Sequence, residues 1–174
     1  MNDEQKAMTM YKMGFGDFNE KAGLKEPVHE KPRRRAIWSD WKLERMPYKC
    51  THIKLDLPIT DEEFEELAWG HIPHAMEDHW FMYFDGKCFD FHRSWTGFCI
   101  YRVHVERNKE TGQGYLLTSV TANRKPEQYS ETSDARDLVM AHILLGEALG
   151  YNMGELWDKW FELGEPQEGE LSEA

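Results

Sequence analysis

The residues best equipped for chemistry in this chain are the hexapeptide His92-Arg93-Ser94-Trp95-Thr96-Gly97 and the Glu77-Asp78 pair that precedes it. A guanidinium forks onto a phosphate or carboxylate through two parallel hydrogen bonds, and an indole beside it offers a flat face on which a base can stack. Ser94 and Thr96 add hydroxyls. His92 supplies an imidazole whose ordinary pKa lies near neutrality. Glu77 or Asp78 could act as a general base or a metal ligand, with His92 as the acid/base group. The same residues have structural uses. Arg93 could close a salt bridge to Glu77 or Asp78, and Trp95 could fill core.

These residues need a sheet to hold them. Residues 79–101 pack nine aromatics into twenty-three positions and are broken by Asp85-Gly86, a two-residue hairpin signal. The pattern predicts strands near 79–84, 87–94, 98–107 and 115–123, with residues 109–114 forming a loose hairpin. An earlier strand over 51–57 alternates Ile53, Leu55 and Leu57 with His52, Lys54 and Asp56, and Pro58 should end it. Thr60 with Glu63 forms a capping box opening a helix whose Phe64, Leu67 and Ala68 share a face, closed by Gly70 and Pro73. A helix over 134–150, capped by Ser133 or Asp134 and stopped by Gly150, is apolar around much of its circumference. A last helix over 153–163 groups Leu156, Trp157, Trp160 and Phe161. The expected fold class is α+β: an antiparallel sheet of four to five strands, running as a meander and covered on one face by helices.

A turn centred on Asp85-Gly86 places Trp80 opposite Phe91 and Met82 opposite Phe89, with His79 opposite His92 and Phe81 opposite Asp90 on the other face. Two cross-strand histidines near a carboxylate could begin a metal site, yet no spacing motif supplies a third ligand, and none is expected. The following turn creates a conflict. A two-residue Thr96-Gly97 loop would put Val103 and Val105 on the face of Asp90 and His92, because a one-residue slip inverts every side chain. A bulge or a longer loop is therefore expected in 93–97, leaving Arg93 and Trp95 at the rim of a pocket.

The 174 residues fit one domain, read as a flexible start over 1–34, a globular part over 35–164 and an acidic tail over 165–174. Trimming 1–30 and 165–174 should leave folding intact. Trp38 and Trp41 should anchor the start of the domain. A formal net charge of −11 argues against nucleic-acid binding and against an anionic membrane surface, while one cleft can still hold a small anion. Cys50, Cys88 and Cys99 are odd in number and lack CxxC spacing, which favours neither a disulfide framework nor a zinc ribbon. With no long apolar run and no leader-like start, the cytoplasm is the expected compartment. No Gly-rich phosphate loop, GxSxG elbow or HExxH motif occurs, and no cofactor is implied.

The segments Glu77-Asp78-His79-Trp80-Phe81, His92-Arg93-Ser94-Trp95-Thr96-Gly97 and Cys99-Ile100-Tyr101 resemble a signature of poorly characterised bacterial and phage proteins. That group is associated with ADP-ribose-handling modules such as macrodomains and ADP-ribosylglycohydrolases. The resemblance spans about residues 69–105 and implies roles for Glu77, Asp78, Trp80, His92, Arg93, Ser94, Trp95 and Thr96. His79 stands where the group carries a lysine. Two readings follow. In one, the chain binds or processes ADP-ribose or a related small anionic nucleotide. Arg93 then holds phosphate, Trp95 or Tyr101 stacks on a base, and Glu77, Asp78 and His92 supply acid/base chemistry. In the other, it is a non-catalytic module that sequesters a nucleotide or meets a protein partner through its aromatic face or its tails. Whether it is an enzyme stays open at this level.

Overall fold

A computed structural model describes residues 34–164, so nearly all of the expected flexible start and the whole acidic tail lie outside the described residues. The elements are β1 (Cys50–Ile59), α1 (Asp61–Ala68), β2 (Trp80–Phe84), β3 (Cys88–Arg93), β4 (Cys99–Arg107), β5 (Tyr115–Asn123), α2 (Asp134–Ala148) and α3 (Gly154–Gly164). Five strands form one antiparallel sheet in the order β1-β5-β4-β3-β2. β2 to β5 run as a meander and β1 returns to the far edge beside β5. The α+β architecture read from the sequence is the one observed.

The local signals that start and stop the helices act as expected. Thr60 accepts from the Glu63 N–H while the Glu63 carboxylate accepts from the Thr60 N–H, satisfying two donors that a helix start leaves unpaired. Ser133 caps α2 by accepting from the Arg136 N–H. Past its end, the Tyr151 N–H reaches back to the Gly146 carbonyl and Gly150 takes φ +81. That is the left-handed exit glycine permits. Pro58, expected to end β1, instead lies within it, opposite Leu116. β1 is an edge strand, where a missing N–H costs no ladder bond, and a register shift between Lys54 and Leu57, with Asp56 at φ +51, absorbs the irregularity.

One sheet face is covered by helices. Met82, Phe89, Phe91, Tyr101 and Val103 meet Leu138, Val139, Ala141, Ile143 and Leu145 of α2 in the core. Phe64 of α1 stacks on Tyr115 at 3.9 Å and contacts Phe84 and Phe89. The buried Asp137 of α2 accepts from the Tyr101 hydroxyl at 2.6 Å and the Tyr129 hydroxyl at 2.7 Å, and is ion-paired with Arg124. A charge carried into a core is tolerable when paired in this way.

Among the described residues the opposite face carries no α-helix, only a short 3-10 turn at Trp38–Asp40. The chain from Trp38 to Met46 crosses it: Trp41 stacks on Phe81 and donates its indole N–H to the Ser94 carbonyl at 2.8 Å. Of the two tryptophans expected as anchors, Trp41 is one and Trp38 is largely exposed.

Candidate functional site

The first hairpin turn sits one residue later than the sequence suggested. Asp85 pairs with Cys88 across a Gly86-Lys87 centre, because the Asp85 carboxylate accepts from the Lys87 and Cys88 N–H groups and Gly86 adopts φ +100. Trp80 therefore lies opposite Arg93, Met82 opposite Phe91, and Phe81, not His79, opposite His92. The expected His79–His92 pair does not form. Face parity survives, since the shift moves each pair by two positions.

The expected irregularity near the hexapeptide is present. Residues 94–97 form a four-residue loop closed by the Arg93 N–H on the Phe98 carbonyl and the Gly97 N–H on the Arg93 carbonyl. The bulge itself lies on β4: Phe91 pairs with Tyr101 and His92 with Cys99, so Ile100 is the extra residue. This insertion puts Phe91, Tyr101 and Val103 on the helix face and sets Asp90 opposite Arg102.

Strand alternation then divides the hexapeptide between the two faces. On the helix side, the Arg93 guanidinium lies 4.4 Å from the centre of the Trp80 ring. Among the described residues it forms no ion pair: Asp78 bonds His71 at 2.5 Å instead, and Glu77 is exposed. Trp95 does not fill core. It is 69% exposed and held in place by its indole N–H on the Met76 carbonyl at 3.0 Å. Arg93, Ser94, Trp95 and Thr96 line a cavity of about 360 Å³ together with His79, Glu127 and Gln128. The Ser94 hydroxyl is buried without a hydrogen-bond partner among the described residues.

Other expected site residues lie elsewhere. Tyr101 is 0% exposed, stacked against Trp80 and bonded to Tyr129 and Asp137, so its ring would have to leave the core to meet a base. Asp78 and Trp80 border a separate cavity of about 360 Å³ with His71, Met82, Phe91 and Leu144. His92 points through the opposite face. The structure thus brings Arg93, Ser94, Trp95 and Thr96 together and does not bring Glu77, Asp78 and His92 together.

The open face holds a second constellation that sequence reasoning missed. Arg102 donates from Nε to Asp90 at 2.9 Å and from an Nη to Asp85 at 2.7 Å, spanning two carboxylates. Burial, reinforced by the hydrogen bond to Asp85, pushes Asp90 up to about 8. Burial alone would raise Asp85 too, but hydrogen bonds from Asp90, the Cys88 and Lys87 amides and Arg102 hold it near 2. Asp90 is the more deeply buried of the two, and burial favours the shared proton on its side. His92, 4% exposed, donates from Nδ1 to the Gly97 carbonyl at 2.9 Å, and burial lowers its pKa, so the ring is neutral with Nε2 as its acceptor. The Gly97 carbonyl also accepts from the Glu44 N–H, tying the crossing segment to the turn.

These groups line a cavity of about 530 Å³ between the sheet and residues 43–46. Asp85, Cys88 and Asp90 also place three possible metal-binding atoms within 4.8 Å of one another. The fit is poor: the Arg102 guanidinium already lies on both carboxylates, and burial pushes the Cys88 thiol up to about 11. One signal was legible beforehand, since Asp90, His92, Arg102 and His104 are polar residues inside otherwise apolar strands. Their convergence depends on the bulge at Ile100, which no residue type announced.

Among the described residues no helix is long and apolar enough to cross a membrane. No protein family, curated protein or solved structure matches this chain.

Proposed function

We propose that the turn at 93–96 binds a small anionic ligand carrying an aromatic base, ADP-ribose or a related nucleotide, and that it does so without catalysing a reaction there. One observation carries the reading. Among the described residues Arg93 is a guanidinium without an ion pair, fixed over Trp80, in the same cavity as an exposed and hydrogen-bonded Trp95. Such a cation is placed for phosphate, and a preorganised indole for a base. Glu127 at the same cavity can accept from ribose hydroxyls. The resemblance of the His92–Gly97 hexapeptide to proteins associated with ADP-ribose-handling modules points the same way. Binding is favoured over turnover because Glu77 and Asp78 do not converge on this cavity and His92 faces the other side of the sheet.

Titration calorimetry with ADP-ribose, NAD and AMP tests this, alongside thermal melting. Saturating ligand should raise stability by about 2.7 kcal/mol at a hundredfold excess over Kd. Arg93→Ala and Trp95→Ala should each weaken binding at least about tenfold. Arg93→Ala should cost less than about 1 kcal/mol of stability, since it removes only a half-exposed cation–π contact. Unchanged affinity in Arg93→Ala, or no stabilisation by any of the three compounds, rejects the assignment.

A further inference from the structure

The cavity beneath residues 43–46 lies across the sheet from the proposed nucleotide site and does not depend on it. Its two reactive groups sit on one strand, two residues apart and on the same face, which separates their Cα atoms by roughly 6–7 Å. Asp90 is buried, and Arg102 Nε occupies its Oδ1, leaving Oδ2 to carry a proton that it shares with Asp85 at the edge of the same cavity. His92 is just as buried. Its Nδ1 is held by the Gly97 carbonyl, and its Nε2, which has no hydrogen bond among the described residues, is left to the cavity. A buried imidazole nitrogen turned into a cavity beside a buried carboxyl is a matched base and acid.

The neighbouring groups narrow the chemistry. Cys99, like Cys88, is buried and held as a thiol, so neither is a ready nucleophile. Arg102 already occupies the place between Asp85 and Asp90 where a divalent cation would bind. Glu44 and Arg45 from the crossing segment balance each other, and Asp85 and Arg102 do the same, so the cavity suits an uncharged polar molecule. Proton transfer is the step that these groups can perform.

We propose that this cavity is a general acid–base site for a small uncharged carbonyl compound, with His92 as base and Asp90 as acid. His92 Nε2 takes the proton from the carbon next to the carbonyl. The electrons of that C–H bond form a C=C bond, and the carbonyl π electrons take the proton from Asp90 to become O–H. The enol so formed, an enediol when the deprotonated carbon carries a hydroxyl, collapses by the reverse transfers, restoring both residues. Arg102 steadies the Asp90 carboxylate in between.

The test uses the full chain and dihydroxyacetone in D2O, following by proton NMR the loss of its carbon-bound hydrogens to solvent deuterium. Exchange should be accelerated saturably, and His92→Gln should reduce that acceleration about 100-fold, the low end for a positioned general base. Asp90→Asn should reduce it at least about tenfold. The rate should be bell-shaped in pH, rising as His92 loses its proton and falling as Asp90 loses its own near 8. Tyr83, pushed up to about 12 by burial and by Asp90, titrates beyond that window. The wild-type profile decides the matter even if a variant fails to fold. Exchange no faster than in buffer, a flat pH profile, or a well-folded His92→Gln variant with the wild-type rate overturns the proposal.

Discussion

His92 and Arg93 are neighbours in sequence, yet they serve opposite sides of the sheet, because successive strand residues point to opposite faces. A reading that pools adjacent polar residues into one site joins groups that the backbone separates. The reverse also holds: Asp90 and Arg102 are far apart in sequence and meet as cross-strand partners at 2.9 Å. That pairing has a measurable signature. Asp90 has a folded-state value of about 8, well above an unfolded carboxyl near 3.8. The folded chain therefore keeps a proton that the unfolded chain has released. The associated stability is full below about 4 and is lost as pH rises through about 8. Asp85, held near 2, acts oppositely, and its contribution is lost only as pH falls below about 4. Between pH 5 and 8 the wild-type protein should lose stability relative to Asp90→Asn, in which that titration is absent. Urea unfolding of both proteins at pH 5, 6.5 and 8 reads the difference directly. Parallel profiles would mean that the proton does not reside on Asp90.

At the scale of elements, α2 and the 93–98 turn carry the organisation. Leu145 is 0% exposed in the last turn of α2, so Leu145→Asp should prevent cooperative folding. An unpaired buried carboxylate costs several kcal/mol, comparable to a whole domain's stability. A soluble variant with a sharp thermal transition would remove α2 from the core. Gly97 is the hinge of the open face. It has φ +75, and a Cβ there would lie 2.1 Å from the Lys42 carbonyl oxygen. Gly97→Ala should therefore cost at least about 1–2 kcal/mol from the left-handed backbone alone. It should also loosen the crossing segment, read as faster hydrogen exchange at the Glu44 amide, which bonds the Gly97 carbonyl. Unchanged exchange at Glu44 would show that the segment is held by other contacts, such as the Trp41–Phe81 stack. Helix caps and the meander were legible because Thr60, Glu63, Ser133 and Gly150 act through local hydrogen bonds and dihedrals. The turn at Gly86-Lys87 was not, since an Asp side chain capping two amides shifts the pairing by two positions and leaves face parity unchanged. The misplaced faces of Val103 and Val105 did announce an irregularity near 93–97, but not its position at Ile100 in β4.

At the scale of the molecule, the sheet is a partition. One side is sealed by helices over an apolar core, and the other keeps its polar side chains under a short crossing segment. This separation explains why a single aromatic-rich stretch could suggest one site while the folded chain offers two. It also sets how the protein responds to acid. His142 lies inside α2 at 0% exposure, and burial lowers its pKa to about 4. Above the ordinary value of 6.5 both folded and unfolded forms are neutral, and this position contributes its full stability. As pH falls below that value the unfolded chain gains a proton that the folded one refuses, and stability drains away until about 4. Burial also lowers the pKa of His92 and His104, adding to the same trend, while Asp90 opposes it over part of the range. The contribution of His142 is isolated by difference. Wild type and His142→Gln, unfolded in urea at pH 4.5, 5.5 and 7, should converge as pH falls, because only the wild type carries a titrating group at the centre of its core. A constant gap between the two across that range would show that the imidazole takes up its proton without leaving the helix layer.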